Sequence, residues 1–276
     1  FNYTQPDRKM FDGEQPGQPR QSPETFDSYP VSAAQRGIGN IIAALVPPGG
    51  DWCEAASGHL IPTNRREALS KGLQEITETA FNELNASNFS TESHAMGADM
   101  LVASGFMAID YGDAEQPLVC KTVPMNEMYP SYGSDGELRA SYRCYDIQVR
   151  DILRTWPAAT LSPSLAKKAE DTPRAKVAIV EADVLEPGVG WHFAVIDPSD
   201  RSILFERAAS DPQEPCRWIV AGFYKRPGDR YHYGPAQVAL PTMRTANKVE
   251  ELELKAGAKS LAPPVMIDSR AGLNPH

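Results

Sequence analysis

The sequence predicts an α+β fold in which helices come first, a mostly antiparallel sheet follows, and one long helix closes the order. Three observations predict it. Apolar residues recur at helical spacing over residues 27–104. From Phe106 the period changes to two, and turn residues separate successive strands at hairpin distances. Between Gly234-Pro235 and Pro263-Pro264 lies the longest helix-compatible run of the chain, rich in Ala, Leu, Glu and Lys. Helices set apart from hairpin-linked strands argue against an alternating α/β architecture.

Taken in order, residues 1–24 are polar, rich in Pro and Gly and without periodicity, so they read as a flexible arm that orders only against a partner. Asp27 and Ser28 can cap a first helix with Pro30 in its first turn. Its apolar face is Val31, Ala34, Ile38, Ile41, Ile42 and Leu45, and close packing is expected at Gly37 and Gly39. A turn at residues 47–51 leads to Trp52, an aromatic anchor. A second helix starts at the box-like Asn64-x-x-Glu67, with Leu69, Leu73, Ile76, Ala80 and Leu84 expected to be buried. A third runs over residues 90–104 with Gly105 as its stop.

Strands are expected at residues 106–111, 118–123, 127–132 and 137–145, the last two joined by the turn Gly133-Ser134-Asp135-Gly136. Short helices follow at 146–156 and 162–170. Further strands are expected at 176–184, 191–197, 202–207 and 216–223, with a Pro198-Ser199-Asp200 turn. Pro241 implies either a kink in the final helix or a helix that begins there.

Laid out at about 100° per residue, the final helix has a distinctive surface. Arg244, Lys248, Glu251, Lys255 and Lys259 share one face. Val249, Leu252 and Ala256 form a narrow apolar seam beside it, and Met243, Leu254 and Leu261 form a second seam roughly 150° away. Glu250 and Glu253 lie opposite the basic face. One broad stripe suits a helix lying on a core. Two narrow seams suit a helix held between two neighbours, as in a ring; a solvated helix with ordinary Glu251–Lys255 pairing is the alternative.

The 276 residues suffice for one large domain or two modest ones, and 41% hydrophobic content is compatible with a real core. A net charge of −9 offers nucleic acid no global attraction, so any DNA contact has to be local or weak. Cys53, Cys120, Cys144 and Cys216 contain no C-x-x-C pair and read as reduced thiols. No apolar run approaches the ~20 residues of a membrane span, and there is no signal peptide. The chain begins at Phe1 without methionine and looks like a fragment.

No G-x-S-x-G elbow, H-E-x-x-H pair or Walker loop is present, so no enzyme, metal site or cofactor is expected. His94 lacks a second ligand one turn on and reads as a surface or packing residue rather than a metal ligand. His192 sits in the apolar strand WHFAVI and reads as packed or edge-facing rather than as a catalytic base. Glu181 and Asp183 share one strand face, expected to be solvated, and Asp99 is isolated on its helix.

Several stretches in collinear order resemble the head-to-tail connector, or portal, proteins of short-tailed double-stranded DNA bacteriophages. FDSYPVSAAQRGIGNIIAALVPPGGDW (from Phe26 to Trp52) is similar to that family's F-D-S, alanine-rich helix, P-P-G and tryptophan succession. Asn88-Phe89 with the following helix and ASGFMAIDY, ending at Tyr111, resemble its helix, small-residue turn and strand. RWIVAGFYKRPGDRYHYGPAQVALPTMRTANKV, starting at Arg217, resembles its R-W, G-E-x-Y-G-x-G-P and A-L-P-D-x-x-x-L-N pattern. Gly228, Tyr231, Gly234-Pro235, Ala239-Leu240-Pro241 and Asn247 are the matching positions. APPVMI, ending at Ile267, resembles the family's P-P run. Asp229 stands where glutamate is usual, His232 replaces a glycine, Thr242 an aspartate and Ala246 a leucine.

The resemblance implies a homo-oligomeric ring of about twelve subunits, closed by symmetry, at one capsid vertex of the virion. Double-stranded DNA passes through it under a terminase motor, with capsid, scaffolding and tail adaptor proteins as partners and assembly in the host cytoplasm. It further implies an arm (1–25), a wing (26–230), a stem helix (231–262) and the start of a clip (263–276) within a longer protein. On this reading Arg244, Lys248, Lys255 and Lys259, tempered by Glu251, line the channel, and Met243, Val249, Leu252, Leu254, Ala256 and Leu261 meet neighbouring subunits. Glu250 and Glu253 facing inward is the alternative orientation. A structural capsid or tail adaptor that binds only protein is the alternative function.

Overall fold

A computed structural model describes residues 3–5, 25–47, 50–58, 61–209, 211 and 214–262. The expected clip and most of the expected arm fall outside these residues; of the arm, residues 3–5 and 25 are described, and the Gln5 side chain donates to the Ala98 carbonyl at 2.6 Å.

Helix α1 (Tyr29–Leu45) starts where the capping residues place it: the Asp27 carboxylate accepts the Tyr29 N–H at 2.8 Å, and Pro30 sits in the first turn. Ala34 and Ile38 pack against α3 (Phe89–Met100) and Leu101. The expected close packing at Gly37 and Gly39 is absent, since a Cβ on either would meet nothing within 4 Å. Gly97 of α3 makes the approach instead, and a Cβ there would lie 3.2 Å from Ile38.

Helix α2 (Thr63–Ala86) corrects a second expectation. It starts behind Pro62, so Asn64 lies inside the helix rather than at its cap. Of the face expected to be buried, Leu69 and Ile76 are 44% and 60% exposed and Ala80 is exposed, while Leu73 and Leu84 are half-buried. The physical reason is thin attachment: the buried anchor is Phe81, edge-on to the Trp52 ring at 5.5 Å, with Phe89 stacked on Trp52 at 6.4 Å. α3 ends at Met100 rather than at residue 104. Gly105 opens the next strand, where a Cβ would lie 2.7 Å from the Met96 carbonyl, so close approach rather than capping requires glycine.

The strands form two antiparallel sheets, giving the α+β class read from the periodicities. β1 (Gly105–Tyr111) lies between β2 (Leu118–Val123) and β8 (Trp218–Ala221). β3 (Met128–Tyr132), β4 (Leu138–Gln148), β5 (Lys176–Glu186), β6 (Gly190–Asp197) and β7 (Ser202–Ala208) pair in sequential order. Strand alternation explains why β1 is buried on both faces. Phe106 and Ala108 join Val123, Met128 and Trp218, whereas Met107 meets Met96 of α3 and Cys120. The larger sheet is covered by α4 (Val149–Thr155) and α5 (Pro163–Asp171), through Ile152 and Leu165 on Ile179, Phe193, Val195 and Leu204. α4 begins three residues later than expected because β4 continues to Gln148, paired with Lys176.

Both expected turns form. Gly136 takes φ +81°, and Gly133 N–H bonds the Glu137 carbonyl at 2.9 Å. At the second turn Asp197 accepts the Ser199 N–H at 2.8 Å, while Asp200 accepts from Ser162 at 2.7 Å and from Ser164, tying the turn to the start of α5.

Candidate functional site

Helix α6 (Pro235–Leu261) begins at Pro235 and runs through Pro241, so the helix does not start at the second proline. Its first turn is docked by backbone. Gly234 N–H donates to the Val102 carbonyl at 3.0 Å and Ala236 N–H to the Leu101 carbonyl at 2.9 Å. A Cβ on Gly234 would fall 2.0 Å from the Leu101 oxygen, so only glycine fits. Nearly two turns past Pro241 the buried Asn247 holds residues 26 and 27: its side-chain carbonyl accepts the Phe26 N–H at 2.7 Å and the Asp27 N–H at 3.2 Å.

Beyond Asn247 the helix leaves its own chain. Val249, Leu254, Ala256 and Leu261 are exposed, as are Arg244, Lys248, Lys255 and Lys259; Leu252 is 55% exposed, and Met243 is half-buried. The structure joins three of the sequence-selected charges. Glu251 accepts from Lys248 at 2.8 Å and from Lys255 one turn on, and the two ammonium groups hold its carboxyl below the usual range. Arg244 and Lys259 are not part of that chain of contacts.

A second constellation joins the two sheets. Glu181 and Asp183 of β5, expected to be solvated, are buried. Arg217, just ahead of β8, reaches Glu181 at 2.5 Å and Asp183 at 3.1 Å, and lies 3.7 Å from Asp110 of β1. Trp218 donates its indole N–H to Asp183 at 2.7 Å. Arg143, opposite Glu181 in the β4–β5 register, contacts it at 3.4 Å and Glu127 at 2.9 Å, while Tyr145 donates to Glu181 at 2.6 Å.

Burial opposes the Arg217 charge, but Asp183 and Glu181 outweigh it and move its pKa up. Burial pushes the Asp183 carboxyl up against the pull of Arg217, and it also raises the Tyr145 phenol, reinforced by Glu181. Arg143, Tyr145, Glu181, Arg217 and Trp218 border a cleft of about 740 Å³. Arg143 and Arg217 are each paired with carboxylates, which makes this constellation a clamp between sheets. A signal for it existed: Glu181 and Asp183 share a face with Val177 and Ile179, which belong to the core.

The other singled-out groups lie apart. His94 is exposed, Asp99 is fully buried, and His192 lies 3.5 Å from Glu186 and 3.9 Å from Glu206. The four cysteines are free thiols, with burial pushing Cys216 up to about 11.

A family model described as bacteriophage head to tail connecting protein matches residues 1–276. The chain belongs to that family. No individual curated protein matches it. The connector therefore belongs to a group of phage structural proteins that join head to tail. Among its described residues, no helix is long and apolar enough to cross a membrane.

The positions that carried the resemblance have physical roles in this connector. Gly228 takes φ +86° in a Pro-Gly turn closed by Asp229 N–H to the Arg226 carbonyl at 3.1 Å. Tyr231 donates to the Met128 carbonyl at 2.7 Å. At His232, where glycine is usual, the backbone N–H donates to Ser104 Oγ at 2.9 Å and the ring Nδ1 lies 3.1 Å from the same oxygen. The ring fills the space above Gly222, where a Cβ would lie 2.4 Å from it. Burial, then the Lys225 charge, lowers the His232 pKa.

Proposed function

We propose that the connector assembles as a closed ring at one capsid vertex, through which double-stranded DNA is packaged and ejected. In this reading residues 26–230 form the wing, 231–262 the stem and 263–276 the start of the clip. The terminase motor, capsid and scaffolding proteins, and tail adaptors would be its partners during assembly in the host cytoplasm. The protein acts as a structural passage and not as an enzyme.

The observation that carries this reading is the uncovered half of α6. Leu252, Leu254 and Leu261 are 55%, 58% and 89% exposed on a helix whose root is rigidly docked by Gly234 and Asn247. A neighbouring α6 on each side would remove both apolar seams from water. The intervening charged face would then line the channel, where Glu251 cancels part of the lysine charge. Weak net charge suits a passage, since every neutralised phosphate strengthens binding and hinders movement.

Native mass spectrometry on the protein containing this chain tests the ring: a closed assembly of about twelve is expected, and a monomer or dimer overturns it. The same Glu251 neutralisation also favours the second reading, an adaptor that binds only protein. Lys248→Ala with Lys255→Ala separates the two: altered packaging with an intact ring supports the channel face, and unaffected packaging removes it.

A further inference from the structure

Although the chain carries a net charge of −9, Lys225, Arg226 and Arg230 fall within six residues and are all exposed. None of the three forms an ion pair with a carboxylate among the described residues. Lys225 Nζ lies 3.4 Å from the centre of the Tyr132 ring and the Arg226 guanidinium 4.5 Å from that of Tyr233. Stacking positions these cations without consuming their hydrogen-bond donors. The loop is ordered at both ends: Tyr224 and Tyr233 exchange backbone hydrogen bonds at 3.2 and 2.8 Å, and the Pro227-Gly228 turn closes its tip.

Facing the loop is the β3–β4 turn, and the two enclose a groove of about 720 Å³. Ser131, Gly133, Ser134 and Gly136 form much of that opposite wall. Its carboxylate, Asp135, is already held by Arg139, which leaves Asp229 as the opposing charge within the loop.

We propose that this groove is a phosphate-backbone contact site for double-stranded DNA. Phosphate contacts need cations, hydroxyls and backbone N–H groups and no apolar pocket, which is what cations facing serines and glycines supply. A protein partner would instead need an open aromatic or aliphatic anchor site, and the aromatic ring of the opposite wall, Tyr132, is already covered by Lys225. The site lies outside the α6 face and requires no ring, so its failure and the failure of the channel reading are separable.

The test is fluorescence anisotropy of a short labelled DNA duplex against the full chain, titrated over a range of salt. Replacing Lys225, Arg226 and Arg230 together by Gln is expected to weaken binding about tenfold or more and to reduce the salt slope by about 2.7, while Lys71→Gln with Lys167→Gln, both exposed and remote from the groove in sequence, leaves both unchanged. Asp229→Asn is expected to tighten binding, a gain that no folding defect can mimic. Unchanged affinity and slope in the triple variant overturn the proposal. Should that variant fail to fold by circular dichroism, unchanged affinity in Asp229→Asn overturns it instead. Preference of these cations for a polyglutamate peptide, with no duplex binding, also overturns it.

Discussion

Arg217 satisfies two buried carboxylates at once, with Glu181 at 2.5 Å and Asp183 at 3.1 Å, and its guanidinium also lies 4.2 Å over the Phe193 ring. Arg217→Ala would leave both acids buried without their shared cation, and the expected loss is about 3–5 kcal/mol in a denaturant titration. Lysine should restore only part of this, because a point charge cannot reproduce the planar fork. His232 gives a pH signature. Its folded pKa lies below the ordinary 6.5, because burial and Lys225 favour the neutral ring. The unfolded chain therefore takes up the proton first, so this contribution is complete above pH 6.5 and is lost as pH falls from there through the folded value. The thermal midpoint should drop on acidification across that window, and His232→Gln should flatten the dependence.

At the scale of elements, the root of α6 depends on two small features: the backbone contact at Gly234 and the side chain of Asn247. Asn247→Ala removes the acceptor for Phe26 and Asp27 N–H, with an expected cost of about 1–3 kcal/mol and faster hydrogen exchange at both amides. α2 shows the opposite case, a long helix joined through Phe81 and the Trp52 ring. Its apolar spacing is helical, yet periodicity records only which residues share a face, and Leu69 and Ile76 share one that nothing in the described chain covers. The same limit applies to glycine. Gly37, Gly39 and Gly97 are all helical glycines, but only Gly97 lies where another helix approaches.

For the molecule as a whole, the exposed seams of α6 carry the main prediction. Leu252→Glu is expected to abolish the ring in native mass spectrometry while leaving monomer helicity unchanged, because Leu252 touches solvent rather than the core of its own chain. A ring that persists with this variant would place the subunit contacts elsewhere.

Local rules within the sequence determined the α+β class, the succession of helices and strands along the chain and the long run that forms the final helix. Proline, glycine and alternation act over a few residues, so they are legible without a fold. Tertiary structure alone decided that Glu181 and Asp183 are buried and that Gly105 serves packing rather than capping. A charge becomes a clamp or a free site according to which distant group meets it. Arg217 reaches Asp183 across 34 residues of chain, a meeting set by how two sheets pack and not by local spacing.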